Sequence, residues 1–300
     1  MLKEFEYTGE AMGTNYSIAI VCDSKELSDK MYDIARKDIA LYEARFSRFL
    51  PTSELSILNK NKKMTVSKIF FDVSLKAYEL FSLTKGIFNP LVSISRFGYN
   101  KNFLDIETDQ KNIEDESVYD IDFSSVVFDH KSYKIYLNEG QDLDYGGFLK
   151  GYLAELITKK IKNYSTMIHG VIVNLGGDIY TEGLDQNGNK FTFSIYNPVT
   201  KKDDIIVSIY NEALATSGVY KRSWFNFNKK MHHILDISGK SNPDNDIVSA
   251  SVVYKDGSMA EAFTKVFISM DHIEALKLLK IEDIRFIIIK NTGEVINNFS

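Results

Sequence analysis

The sequence predicts an α+β protein of layered sheets with packed helices, and three observations predict it. Runs of β-branched and aromatic residues alternate irregularly with stretches of helical periodicity. Their order is strand, helix, helix, hairpin, helix, strands, helix, strand, which is not a regular βαβ alternation. No Pro- or Ser-rich linker interrupts the 300 residues, so residues 1–300 are expected to form a single domain.

Each element has its own signal. Residues 16–21 (Tyr-Ser-Ile-Ala-Ile-Val) follow a Gly-Thr turn and read as a strand. From Lys25, the residues Leu27, Met31, Ile34, Ala35, Ile39 and Tyr42 recur at helical spacing, predicting a helix to about Ala44. Residues 53–59 read as a short capped helix after Pro51, and residues 67–83 as an amphipathic helix closed by Gly86. Residues 100–125 are acidic and irregular and predict a solvated excursion, followed by a hairpin of residues 126–128 and 134–137. After Asp144-Tyr145-Gly146-Gly147, a helix aligns Leu149, Leu153, Leu156, Ile157 and Ile161 on one face. A strand over 168–175 ends in Gly176-Gly177-Asp178. Residues 191–196, 204–210 and 248–254 read as strands, 260–270 and 272–279 as helices, and 285–290 as a closing strand.

Composition removes several classes of function. With 20 Phe and 17 Tyr against 4 Pro, the chain is no disordered or low-complexity protein. A net charge of −5 leaves no broad electrostatic footprint for nucleic acid. Cys22 is the single cysteine, so neither a disulfide framework nor a Cys-rich metal site is expected, and a buried position at a strand end is. No stretch approaches about 18 apolar residues, so no transmembrane segment is expected. The opening residues lack a signal peptide, and Val21 is too large for a lipoprotein cleavage site, so the expected location of the chain as written is cytoplasmic.

The phosphate-binding, dinucleotide-binding, nucleophile-elbow and His-Glu-x-x-His motifs are absent. Adjacent His232 and His233 would point to opposite faces of a strand and not share a metal. What remains is a series of small polar segments marked by glycine. In Asp144-x-Gly-Gly and Asn174-Leu-Gly-Gly-Asp178 a carboxylate or amide stands beside a glycine pair, which suits backbone N–H groups approaching a ligand and, taken alone, suits a tight turn with helix capping more. Ala215-Thr216-Ser217-Gly218 adds two hydroxyls.

In order along the chain, these segments resemble the ApbE family of flavin transferases. The matching segments are Met12-Gly13-Thr14; Ser47-Arg48-Phe49 with Ser53-Glu54 and Leu58-Asn59; Thr84-Lys85-Gly86-Ile87-Phe88-Asn89-Pro90; and Asp144 to Gly151. They continue with Asn174 to Asp178, Ala215 to Tyr220, and His232 to Gly239. The resemblance implies an ApbE-like, T-fold-like layered α+β fold. It also implies an enzyme that splits FAD at the pyrophosphate, attaches FMN to a Ser or Thr of an acceptor flavoprotein and releases AMP. By the same resemblance Met12, Phe49, Ile87, Phe88 and Asn89 line the flavin or adenine pocket, with Phe49 where the family often has Tyr. Asp144, Lys150, Thr216, Ser217 and Ile234 bind FAD, Lys150 suits a phosphate, and His233 is the candidate base.

The family's late motif supplies an Asp and a Thr, four residues apart, that bind Mg²⁺ together with a backbone carbonyl at the position of Gly147. Here the text is Ala260-Glu261-Ala262-Phe263-Thr264-Lys265-Val266-Phe267. The register that agrees with more of the apolar pattern puts Glu261 on the Asp and Lys265 on the Thr; a shift by one keeps Thr264 and replaces the Asp by Ala260. In the first register Lys265 pairs with Glu261 at i,i+4 and brings an ammonium to the place of the cation. The alternative function is an FAD-binding relative with weak or no transfer.

Overall fold

The computed structural model describes residues 1–92, 120–220, 223–226, 229–232, 234–239 and 241–299, with backbone alone for 223–226 and 229–231. Most of the excursion expected over 100–125, and His233, lie outside the described residues.

The chain opens as a hairpin of β1 (Lys3–Ala11) and β2 (Thr14–Cys22), followed by α1 (Lys25–Phe46) and α2 (Glu54–Asn61). β3 (Lys63–Thr65), α3 (Lys68–Leu83), β4 (Val127–Asp129) and β5 (Lys134–Tyr136) come next, then α4 (Leu149–Lys162). The second half holds β6 (Gly170–Leu175), β7 (Asp178–Gly183), β8 (Phe191–Asn197), β9 (Lys202–Ile209) and β10 (Ala213–Gly218). It closes with β11 (Ser223–Asn226), β12 (Lys229–His232), β13 (Ile247–Tyr254), α5 (Gly257–Ser269), α6 (His272–Leu279), β14 (Arg285–Lys290) and β15 (Val295–Asn297).

Serine and aspartate side chains start the described α-helices other than α4. Ser24, Ser53 and Ser67 accept from backbone N–H groups in the first turns of α1, α2 and α3, and Asp256 does so for α5. The strands β1, β3, β7, β10 to β12 and β15 are additional to those expected from the sequence.

Eight strands form one antiparallel sheet in the order β1-β2-β6-β7-β10-β13-β14-β15. Helices α1, α4 and α5 pack on one face. The apolar core there runs from Tyr16 and Ile18 through Phe70, Tyr145 and Leu153 to Phe263 and Ile288. The opposite face buries Leu214, Val253, Ile287 and Ile289 against Ile195, Val207 and Ile209 of the β8–β9 hairpin. Alternation along β10 therefore decides what each of its side chains meets: Ala213 and Ala215 face the helices, Leu214 the hairpin. A small sheet, β3-β5-β4, stands apart from the large one. Cys22 is buried at the end of β2. No described helix is long and apolar enough to cross a membrane.

Candidate active site

Two glycine-marked hairpin tips meet at one end of the sheet. Met12 and Gly13 join β1 to β2 with φ of 54° and 69°, the left-handed pair that a tight antiparallel turn requires. The Met12 N–H donates to Glu43 Oε1 at 2.6 Å, so α1 holds the turn. Gly176 and Gly177 join β6 to β7 at φ of 67° and 105°. A side chain on Gly176 would run into Thr14. The Gly177 N–H donates to Asn174 Oδ1 at 2.8 Å and the Gly176 N–H to the Asn15 carbonyl at 3.0 Å. These amides close their own turn, the second of the two readings the sequence allowed for them.

The turn at Asp144 connects two parts of the site. One Asp144 carboxylate oxygen accepts from Arg48 Nη1 at 3.1 Å and the other from the Gly146 N–H at 2.9 Å. On one side the turn borders a cavity of about 320 Å³ whose walls include Met12, Glu43, Arg48, Phe49 and Leu149. The Phe49 ring is 39% exposed, with the Arg48 guanidinium 4.7 Å from its centre. This is an aromatic ring with a cation over its face, beside a cavity of a size for one planar ring system.

On the other side of the turn lies a buried cluster of four charges. Lys150 Nζ is ion-paired to Asp178 Oδ2 and, at 2.7 Å, to Glu261 Oε1. Glu261 Oε2 accepts from the Gly151 N–H at 2.9 Å. Lys265 Nζ donates to the Glu261 carbonyl at 2.9 Å and lies 3.6 Å from Glu261 Oε1. A Cβ built on Gly147 would stand 3.7 Å from Lys265 Cε and 3.1 Å from the Phe88 ring, so Lys265 runs beside the Asp144 turn. The Glu261–Lys265 pair expected from the sequence therefore forms, but Glu261 is 2% exposed and the pair belongs to the interior.

Electrostatics follow from burial and these contacts. Burial pushes Asp178 up to about 6, and the neighbouring Glu261 carboxylate adds to the push. Burial acts on Glu261 in the same sense, but Lys150 and Lys265 outweigh it and hold the group below the usual glutamate value. For Lys150 the loss of hydration is overcome by Asp178 and Glu261, which raise it above the ordinary lysine range. Lys265 has weaker compensation, and burial leaves it below that range.

The helices that carry these groups cross at two glycines. A Cβ on Gly151 would collide with the Gly257 carbonyl oxygen, and one on Gly257 with the Gly151 carbonyl oxygen. Each helix caps the other: Glu261 of α5 takes the Gly151 N–H in the first turn of α4, and Glu155 Oε2 of α4 takes the Gly257 N–H of α5 at 2.6 Å. Lys150 sits at the positive end of α4, an unfavourable place for a cation that Asp178 and Glu261 make favourable.

A divalent cation does not fit this donor set. Both Glu261 carboxylate oxygens are engaged, Asp178 is paired with Lys150, and Thr264 Oγ1 is bonded to Ser217 Oγ and the Glu261 carbonyl, both at 2.6 Å. Among the described residues, no group of three His, Cys, Asp or Glu side chains is placed to hold a metal.

The other expected site residues divide. Met12, Phe49 and Asp144 share the cavity, while Lys150, Glu261, Thr264, Lys265 and Gly147 gather at the cluster. Ser217 reaches the cluster through Thr264, whereas Thr216 points to the opposite face of β10 and pairs with Ser251 Oγ at 2.8 Å. The Asn89 amide is spent on its own chain: Nδ2 donates to the Ile121 carbonyl at 2.8 Å and Oδ1 accepts from the Leu91 N–H at 3.0 Å. Ile87 and Phe88 pack into the core, as does Ile234 at 4% exposure. Sequence reasoning left out Asp178, Arg48 and Glu43. Asp178 stood in the quoted Gly-Gly corner, and a carboxylate there was the signal for it.

The fold thus sets a ring-sized cavity and a buried lysine–carboxylate cluster on the two sides of the Asp144 turn. The fold is that of solved flavin transferases. An ApbE protein from Thermotoga maritima superposes with a TM-score of 0.83 at 20% identity, over 99% of this chain and 97% of that one. The flavin transferase ApbE from Vibrio cholerae gives 0.81 at 17%, over 99% and 97%. Two relatives named FAD:protein FMN transferase are also similar in sequence. The Klebsiella pneumoniae protein is 22% identical over 97% of this chain and 91% of its own length. The Vibrio cholerae protein is 23% identical over 97% and 89%. The profile of the ApbE family matches residues 12–288, and the chain belongs to that family.

Proposed function

We propose that this protein is an FAD:protein FMN transferase acting as one catalytic unit on an acceptor flavoprotein. The observation that carries the reading is the continuity of cavity and charge. A single turn, Asp144 to Gly147, has a ring-binding cavity on one flank and two lysine ammoniums on the other. A dinucleotide has the same sequence of parts, a ring system followed by a diphosphate. The names of the relatives, matched over nearly the full chain, support the same activity.

In this reading Phe49 and Met12 receive a ring of FAD, Asp144 and Arg48 fix polar groups at its edge, and Lys150 and Lys265 face the diphosphate. The acceptor's Ser or Thr hydroxyl oxygen forms a bond to the phosphorus on the FMN side. The bond from that phosphorus to the bridging oxygen breaks, AMP leaves with the bridging oxygen, and the hydroxyl proton passes to a base. We assign His233 as that base from its place in the sequence. The lysines neutralise charge that grows on the phosphoryl oxygens, which is most of what phosphoryl transfer asks of a protein.

The test is incubation with FAD and a protein carrying a Ser/Thr flavinylation segment. AMP is followed by chromatography and bound flavin by fluorescence after denaturing electrophoresis. Equal amounts of AMP and covalent flavin are expected, with a fall of at least about a hundredfold in rate for His233→Ala. FAD binding without AMP release, in chelator and with any divalent cation, would overturn the reading.

A further inference from the structure

We propose that the Lys265 ammonium is the built-in cation of this site: it stands where the ApbE resemblance puts a divalent ion and meets the diphosphate of FAD without one. The inference rests on the FMN-transferase reading and names the device by which that site would hold its substrate.

Charge and donor count carry the argument. Around Glu261 the fold places two carboxylates and two ammoniums, so the cluster has no surplus negative charge to attract a divalent ion. Octahedral Mg²⁺ draws on one or two free carboxylates, and here both are paired with lysine. Removing Lys150 from Asp178 and Glu261 to free them would strand a charge in the interior. Lys150 is thus fixed by two carboxylates, which take two of its three N–H donors and leave one for a ligand.

Lys265 differs from it. It runs past Gly147, donates to the Glu261 carbonyl at 2.9 Å and stands 3.6 Å from a Glu261 carboxylate oxygen, a looser contact than either ion pair of Lys150. An ammonium has three N–H donors, so with two directed at Glu261 one remains for a phosphate oxygen. A lysine acts on a diphosphate as a point charge and does not clamp two oxygens in fixed geometry as a metal does. Binding is therefore expected to be independent of divalent ions.

Three measurements on the full chain decide the matter. FAD affinity, read by quenching of flavin fluorescence, should be the same in EDTA and in millimolar Mg²⁺, and Lys265→Ala should weaken it about tenfold in EDTA. Electron paramagnetic resonance of added Mn²⁺ should show no bound ion on the wild type with or without FAD. Lys265→Thr, which restores an oxygen donor, should make FAD binding or AMP release depend on Mg²⁺. An affinity that rises tenfold with Mg²⁺, stoichiometric Mn²⁺ binding by the wild type, or AMP release only with a divalent ion would each overturn the inference while leaving the transferase reading intact. Metal-independent FAD binding that is sensitive to Lys265, with no AMP under any condition, would instead sink the transferase reading and uphold the cation assignment.

Discussion

Asp178 shows how much one buried carboxylate depends on its neighbours. It is paired with Lys150, yet Glu261 competes for the same ammonium, and burial keeps its pKa at about 6. The sign of the pH effect follows. A folded value above the ordinary 3.8 means that the native state keeps a proton the unfolded chain has lost. This contribution to stability is fully present below pH 3.8 and is lost as pH rises through about 6. Glu261, held low by the two lysines, works in the opposite sense, and its contribution fades only as pH falls below its ordinary 4.5. Between about pH 4.5 and 6 Asp178 therefore adds to the slope in the same sense as Glu4 and Glu182, which burial also raises, while Glu261 does not. Asp178→Asn, an uncharged isostere, should flatten the dependence of unfolding free energy on pH across that window, measured by urea unfolding at pH 5 and pH 7. An unchanged slope would mean that Asp178 is already ionised throughout the window.

At the scale of elements, the crossing of α4 and α5 sets the distance from Lys150 to Glu261. Gly151 and Gly257 let the backbones touch, and Glu155 and Glu261 exchange caps across the contact. Gly151→Ala places a methyl group against a backbone carbonyl that cannot rotate away. The variant should lose about 3 kcal/mol of stability by urea unfolding, and AMP release should fall with it as Glu261 leaves Lys150. A fully stable Gly151→Ala would contradict the close crossing. The sequence shows Lys150 and Gly151 side by side, but not that they serve two structures at once. Helical periodicity located α4, because it buries a continuous stripe from Leu149 to Ile161. It could not reveal that a glycine on the same helix matches another 106 residues later in the chain. In the same way Thr216 and Ser217 read as two equivalent hydroxyls until strand alternation separates them, since only the neighbours of β10 define its two faces. Strand β1 has no clear signal in the sequence for a related reason. Phe5 and Tyr7 alternate with Glu4 and Glu6, but an edge strand half-buried along its length lacks the apolar run that marked β2.

For the whole molecule, the sequence made the α+β class legible because long helices and apolar strands dominate the core, while the site required the fold to bring distant corners together. Met12, Asp144, Gly176 and Lys265 come from four separate parts of the chain: the first three lie in turns between elements and Lys265 within α5, and none belongs to the buried apolar stripe that periodicity detects. One ligand that touches both the cavity and the cluster should therefore couple those parts. FAD carries the ring and the diphosphate in one molecule, so it should bind more tightly than FMN or AMP alone, because the second contact is made at high effective concentration. By linkage, FAD at a hundred times its dissociation constant should add about 2.7 kcal/mol to the unfolding free energy. FMN and AMP at the same concentrations should add less, and Lys265→Ala should reduce the FAD increment more than the FMN increment. The measurement is the unfolding midpoint with each ligand in turn. Equal increments from FAD and FMN would mean that the ring cavity binds alone and that the lysine cluster takes no part in holding the dinucleotide.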